Sequence, residues 1–143
     1  MAVRFFSEDT NYILKDKCKI SSWLADVVKS EGHELVDLNI ILVSDEHLHK
    51  MNVDFLSHDT FTDIITFENT VVPSKIEGEL YISIDRVKDN AFKLSINLTD
   101  ELHRVIVHGV LHLCGYGDKT PKKKAIMREK EDNSLKKRKK HFN

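Results

Sequence analysis

The sequence predicts a single α/β domain, with a small mixed sheet of about four strands flanked by about five helices. Three observations predict it. Short β-branched or alternating apolar segments recur between longer stretches with apolar residues at helical spacing. Glycine, proline, serine and threonine punctuate the boundaries. The 143 residues contain no internal repeat and no Gly/Ser linker, so the chain is read as one domain, residues 1–143.

Residues 3–6 read as a short strand. Residues 11–31 read as an amphipathic helix, with Ile13, Leu14, Ile20, Trp23, Leu24, Val27 and Val28 at helical spacing and Gly32 as its stop. Trp23 on this stripe is a core residue. Residues 36–43 form a β-branched, apolar run expected as a buried strand. Ser44 then caps a helix reaching Phe55, with Asp45 and Glu46 favourable in its first turn. Residues 62–68 are the third strand, whose start Thr62 and Asp63 fix. In residues 79–84, Leu80, Ile82 and Ile84 alternate with Glu79, Tyr81 and Ser83, the period of a half-buried strand. Residues 85–94 are helical. Thr99 caps a further helix running to Cys114, with Gly115 as its stop. Thr120 and Pro121 open a charged helix toward Lys140.

Apolar residues make up 41% of the chain and charged residues 31%, ordinary values for a folded domain. No stretch approaches the ~20 apolar residues of a membrane span, so no membrane partner is expected. The first ten residues carry Glu8 and Asp9 and no apolar run, so no secretory signal is read and the expected address is the cytoplasm. Cys18 and Cys114 lie far apart with no CxxC, which argues against a disulfide scaffold or a cysteine zinc knuckle. The net charge of −1 hides an asymmetry: residues 119–143 hold eleven Lys/Arg against three Asp/Glu, and residues 1–118 hold eleven against twenty. A basic C-terminal helix and tail, residues 121–143, suggests an anionic partner, nucleic acid first; the alternative is a solvated helix end.

The chemistry is concentrated in HGVLHLCGYGD, residues 108–118. Four residues apart on a helix, His108 and His112 lie about 40° apart on one face, close enough to share a metal ion. Glu101 and Arg104 share that face. Leu102, Ile106, Val110 and Leu113 form a second face and Val107 and Leu111 a third, so the helix is buried and its histidines need partners. Such a pair also occurs as surface or satisfied core histidines. The buried context and Asp118, six residues after His112, favour a metal. Gly115 and Gly117 are expected to let the chain turn back and deliver that carboxylate. Two imidazoles and one carboxylate are a common ligand set for one catalytic Zn²⁺ with an open coordination position, which holds a water. Position 109 is glycine, so the glutamate base of the HExxH metalloprotease motif is absent. A helical glycine costs about 1 kcal/mol, and its place beside both histidines implies that something approaches the backbone closely.

This segment closely resembles the signature of the YbeY family, usually HGxLHLxGYDH. The resemblance extends to residues 52–67, NVDFLSHDTFTDIITF, similar to that family's stretch ending in TDVLSF, and to residues 78–84, GELYISI. It implies an α/β fold and a metal-dependent, usually zinc-dependent, single-strand-specific endoribonuclease. It also implies a role in maturing the small-subunit rRNA 3′ end and in ribosome quality control, hence RNA and the small ribosomal subunit as partners. It places Thr62 and Asp63 near the cleft.

Two positions depart from the family pattern. Asp118 stands where the family has its third histidine, which keeps a ligand but makes the bound water less acidic. Leu56 follows Phe55 where the family usually has arginine, a natural clamp for a scissile phosphate. Arg86, Arg104 and Lys119 are the candidate substitutes, although Arg104 could equally pair with Glu101. His47, His49 and His58 lie in polar contexts and are expected to be solvated. His103 points about 140° from His108 and cannot join the pair. Cys114 is read as a small packed residue. Two rival readings remain: a metallohydrolase of another substrate, such as a peptide, and a non-catalytic ribosome-assembly factor with a structural metal.

Overall fold

The computed structural model describes residues 1–56 and 61–142. Four strands form one mixed sheet: β1 (Ala2–Ser7), β2 (Glu34–Val43), β3 (Ile64–Glu68) and β4 (Lys75–Ser83). Their order across the sheet is β1-β2-β4-β3. β1 and β4 pair parallel to β2, while β3 pairs antiparallel to β4 and forms an edge. The helices are α1 (Lys17–Ser30), α2 (Asp45–Leu56), α3 (Ile84–Leu94), α4 (Leu98–Leu113) and α5 (Pro121–Lys136), followed by a 3₁₀ turn, Lys137–Lys140. This is the predicted α/β class, with the predicted number of strands and helices.

The two-residue period of the strands sorts the core into two layers. Leu38, Ile40 and Leu42 of β2, with Ile76, Leu80 and Ile82 of β4, pack under α1 and α4 together with Trp23, Leu102, Ile106 and Val110. Ile41 and Val43 point to the opposite face, where they meet Ile65 and Leu48 under α2. Trp23 is fully buried and donates from Nε1 to the Ser134 carbonyl at 2.7 Å, tying α1 to the end of α5.

Several boundaries differ from the sequence reading. α1 begins at Lys17 rather than residue 11, because Asp16 adopts φ 60°, ψ 38° and breaks the helical path. Ile13, expected on the apolar stripe, is 76% exposed. Ile84 is buried as expected but opens α3 instead of closing β4, and the Ser83 hydroxyl caps it by accepting from the Arg86 N–H. The cap of α4 is Asn97, not Thr99, since its side chain accepts from the Asp100 N–H. Thr120 and Pro121 open α5 as predicted.

The close approach implied by Gly109 is to the sheet. A Cβ there would lie 2.7 Å from Ile64 Cδ1 and 2.8 Å from Leu80 Cδ2. Gly78 is tighter, since its Cβ would meet the Phe67 backbone oxygen at 2.7 Å and the Leu113 methyls at 2.9 Å. These two glycines let α4 lie directly on β3 and β4, which fixes the height of its histidines above the sheet edge.

Candidate metal centre

His108 and His112 project from the last two turns of α4. Their Nε2 atoms are 2.9 Å apart. The helix ends at Leu113, and Gly115, two residues on, takes φ 106°. Gly117 was expected to assist the turn, but its φ is not positive, so no glycine-only conformation is used there. Asp118 is nevertheless delivered to the pair: its Oδ2 lies 3.4 Å from His108 Nε2 and 3.4 Å from His112 Nε2. One ligand atom from each of these residues lies within 4.8 Å of the others.

The outer ring nitrogens fix the tautomers. His112 Nδ1 lies 2.8 Å from the Tyr116 carbonyl oxygen, which can only accept, so Nδ1 carries the proton. His108 Nδ1 lies 2.6 Å from the Glu131 carboxylate and donates to it. In the neutral imidazoles both Nε2 atoms therefore present lone pairs to each other and to a carboxylate oxygen. A metal ion satisfies that arrangement, as does a proton shared between the ring nitrogens and the carboxylate. The two 3.4 Å separations match the roughly 3.3 Å that Zn–N and Zn–O bonds of about 2.0–2.2 Å at tetrahedral angles give, while the 2.9 Å between the two Nε2 atoms is tighter than that spacing. The residues present fit one such ion.

Glu131 was missed in the sequence. It sits on α5, is buried, and receives Arg104 at 2.9 Å as well as His108. Burial alone would raise its pKa, but the hydrogen bonds from His108 and Arg104 outweigh that and hold it below the ordinary value. Burial likewise opposes charge on His108, while Glu131, Asp118 and Asp63 pull its pKa upward overall. The sequence of α5 carries no signal for it: Met127, Glu131 and Ser134 emerge as the buried face only in the packed helix.

Three concavities meet at His108 and Asp118. One, of about 490 Å³, runs between α3, α4 and α5. A second, of about 470 Å³, runs along β3 and includes His112, Thr62, Leu56 and Lys119. Asp63 faces both, and burial raises its carboxyl pKa despite the pull of His108. Leu56, at the family's arginine position, therefore sits on the wall of this cleft and is 44% exposed.

The other predicted residues take varied places. Arg104 lines the first concavity but pairs with Glu131 and Asp132, not with Glu101. Arg86 lines none of the three, and its guanidinium binds Asp45 at 2.7 Å and Asp89 at 3.3 Å. His103 is buried against Trp23, and its Nδ1 accepts from Arg138. His47 is half-buried beside Glu8 and Asp9, and His49 stacks on Phe61 at 4.3 Å, so neither is simply solvated. His58 lies outside the described residues. Cys114 packs against the core, and burial pushes its thiol up to about 12. Part of the tail's charge is internally paired: Lys130 with Glu31, Arg138 with Asp100, His141 with Asp26.

Fold and cluster together define a small α/β protein with a site able to hold one metal ion, open to two flanking grooves. Among the described residues, no helix is long and apolar enough to cross a membrane. The family model described as Endoribonuclease YbeY matches residues 6–139, and the chain belongs to that family. A Cytophaga hutchinsonii protein named Endoribonuclease YbeY is 56% identical over 135 residues, covering 94% of each chain. One of the same name from Amoebophilus asiaticus is 46% identical over 129 residues, covering 90% of this chain and 88% of its own length. The solution structure of TM1509 from Thermotoga maritima superposes with a TM-score of 0.67 at 28% identity, covering 96% of this chain and 89% of that one.

Proposed function

We propose that the protein is a zinc-dependent, single-strand-specific endoribonuclease. Its substrate is the 3′ end of small-subunit rRNA, in maturation and in ribosome quality control, which sets its work in the cytoplasm. One observation carries the proposal: two Nε2 lone pairs and a carboxylate oxygen converge where grooves meet, in a chain whose relatives bear the name endoribonuclease.

His108, His112 and Asp118 are the residues that hold the ion. When bound, Zn²⁺ supplies Lewis acidity, polarising a phosphate oxygen and lowering the pKa of water. Glu131 and the Tyr116 carbonyl lock both imidazoles in the ligating tautomer. Asp63, a carboxyl with a raised pKa facing both grooves, takes or returns the proton of the attacking hydroxyl. Arg104 and Lys119, one on each side, contact phosphates flanking the scissile bond. Arg86, held by two aspartates away from the grooves, is left out of that role.

The apolar wall at Leu56 favours one second reading, a ribosome-assembly factor that binds RNA through the same grooves without cutting it. Incubating a single-stranded RNA with the zinc-loaded protein, with and without chelator, separates the two. Chelator-sensitive cutting supports the nuclease. Binding without cutting supports the assembly factor.

A further inference from the structure

The turn that delivers Asp118 runs glycine, tyrosine, glycine: Gly115, Tyr116, Gly117. Backbone bonds tie it to α4 as far as the Tyr116 N–H, which donates to the Leu111 carbonyl at 3.1 Å. From there through Gly117 to Asp118, no backbone–backbone hydrogen bond is made among the described residues. Glycine restrains its own backbone least, so this half of the turn must be held by side chains. Tyr116 carries the side chain that does so. Its hydroxyl donates to Glu31 Oε1 at 2.7 Å. Glu31 closes α1, and its side chain is only 10% exposed. Lys130 of α5 donates to both oxygens of the same carboxylate, at 3.0 and 3.1 Å, and its ammonium lies 5.3 Å from the centre of the Tyr116 ring. Hydrogen bonds to an ionised partner are the stronger kind. The carbonyl of this same tyrosine accepts from His112 Nδ1. A line of contacts therefore runs from Lys130 through Glu31 and Tyr116 to His112. The next residue of α5, Glu131, reaches His108 directly. Consecutive residues of one helix thus serve the two imidazoles by separate routes.

Resting on His108, His112 and Asp118 as the ligand set, we infer that Glu31 and the Tyr116 hydroxyl are positioning residues for the metal centre. They act through the Tyr116 carbonyl. With the hydroxyl anchored, that carbonyl stays aimed at His112 Nδ1 and keeps the proton there. His112 Nε2 then holds its lone pair toward His108 and Asp118. With the anchor cut, the turn is free to take other shapes. The acceptor of His112 and the carboxylate of Asp118 move together, because two bonds of the same short segment carry both. The anchor residue lies 85 positions before the tyrosine it holds, so α1 takes part in shaping a site to which it gives no ligand.

The test uses Tyr116→Phe, which keeps the ring and loses the hydroxyl, with Glu31→Ala and the conservative Glu31→Gln, which keeps an acceptor for the tyrosine. Circular dichroism checks that each is folded. Zinc affinity is read by competition with a chromophoric chelator. The ring N–H protons of both histidines are followed by NMR in chelator-treated protein carrying ¹⁵N-labelled histidine. Tyr116→Phe and Glu31→Ala each weaken zinc binding about tenfold, the lower end of the effect expected of groups that orient a ligand. The double variant is no weaker than either single one, since both cut the same line of contacts. Glu31→Gln stays close to the wild type. In chelated Tyr116→Phe the His112 Nδ1–H signal is lost to exchange with water, while the His108 signal, held by Glu131, persists. Unchanged zinc affinity and ring signals in Tyr116→Phe, additive losses in the double variant, or equal loss of both histidine signals overturns the inference. A wild type that binds no zinc refutes the ligand set, and the ring signals of the chelated proteins still decide the positioning role.

Discussion

His108 Nδ1 lies 2.6 Å from Glu131 Oε2, a charge-assisted hydrogen bond that joins α4 to α5. It turns the opposite nitrogen toward His112 and Asp118, so the ligand set depends on a residue thirteen positions beyond Asp118 in the chain. Glu131→Gln keeps the volume but removes the carboxylate. Zinc affinity, measured by competition with a chromophoric chelator, falls about 10- to 100-fold. An unchanged affinity contradicts the role given to Glu131.

Leu56 stands on the groove wall with its side chain partly in solvent, so a longer cationic residue is accommodated there at little cost. Leu56→Arg strengthens single-stranded RNA binding by about tenfold, the magnitude of one charge-assisted hydrogen bond to phosphate. The gain shrinks as salt rises, because the new contact displaces counterions. Titrations at two ionic strengths read both effects.

His103 gives a pH dependence whose sign follows from its surroundings. Burial and the charge of Arg138 depress its pKa to about 4, and Arg138 donates to its neutral Nδ1. The unfolded chain, with an ordinary histidine near 6.5, binds this proton more readily than the native state. The contribution is therefore fully present above pH ~6.5 and lost as pH falls toward ~4, amounting to about 3 kcal/mol. Urea midpoints fall over that window in the wild type. They fall less in His103→Gln, which keeps an acceptor for Arg138.

Metal removal leaves the fold standing. The three candidate ligands sit at the end of α4 and in the turn after it, while the main core draws on all the other helices but α2 and on β2 and β4. The far-UV circular dichroism of chelated protein at 25 °C is expected to match that of the zinc-loaded form. Zinc at ~100 times its dissociation constant adds about 2.7 kcal/mol and raises the melting temperature. Unfolding by chelator alone favours a structural metal.

The core and the juxtaposition of two histidines were legible because each rests on a local period. The 3.6-residue repeat put His108 and His112 on one face, and two-residue alternation marked Leu80 and Ile82 as buried. Asp118 was legible from the chain reversal, although Gly115 alone supplies the left-handed backbone that two glycines were expected to share. Glu131 was not legible, because α5 carries few apolar residues and its inward face shows only once it packs on α4. The pairing of Arg104 with Glu131 rather than Glu101 failed for the same reason: the nearer acid on its own helix is turned into the cleft, and the actual partner arrives from a helix 27 residues away. Asp16 shows the converse, a left-handed residue that cuts short a helix whose hydrophobic period continues upstream.

The central claim is tested most directly by cleavage of a single-stranded RNA, comparing wild type with His112→Ala, purified side by side, each with zinc and with chelator. The account predicts that only the zinc-loaded wild type cuts, and that the variant, which keeps the Gly109 and Gly78 packing, stays folded and silent. Equal cutting by both proteins, or none by either, contradicts it.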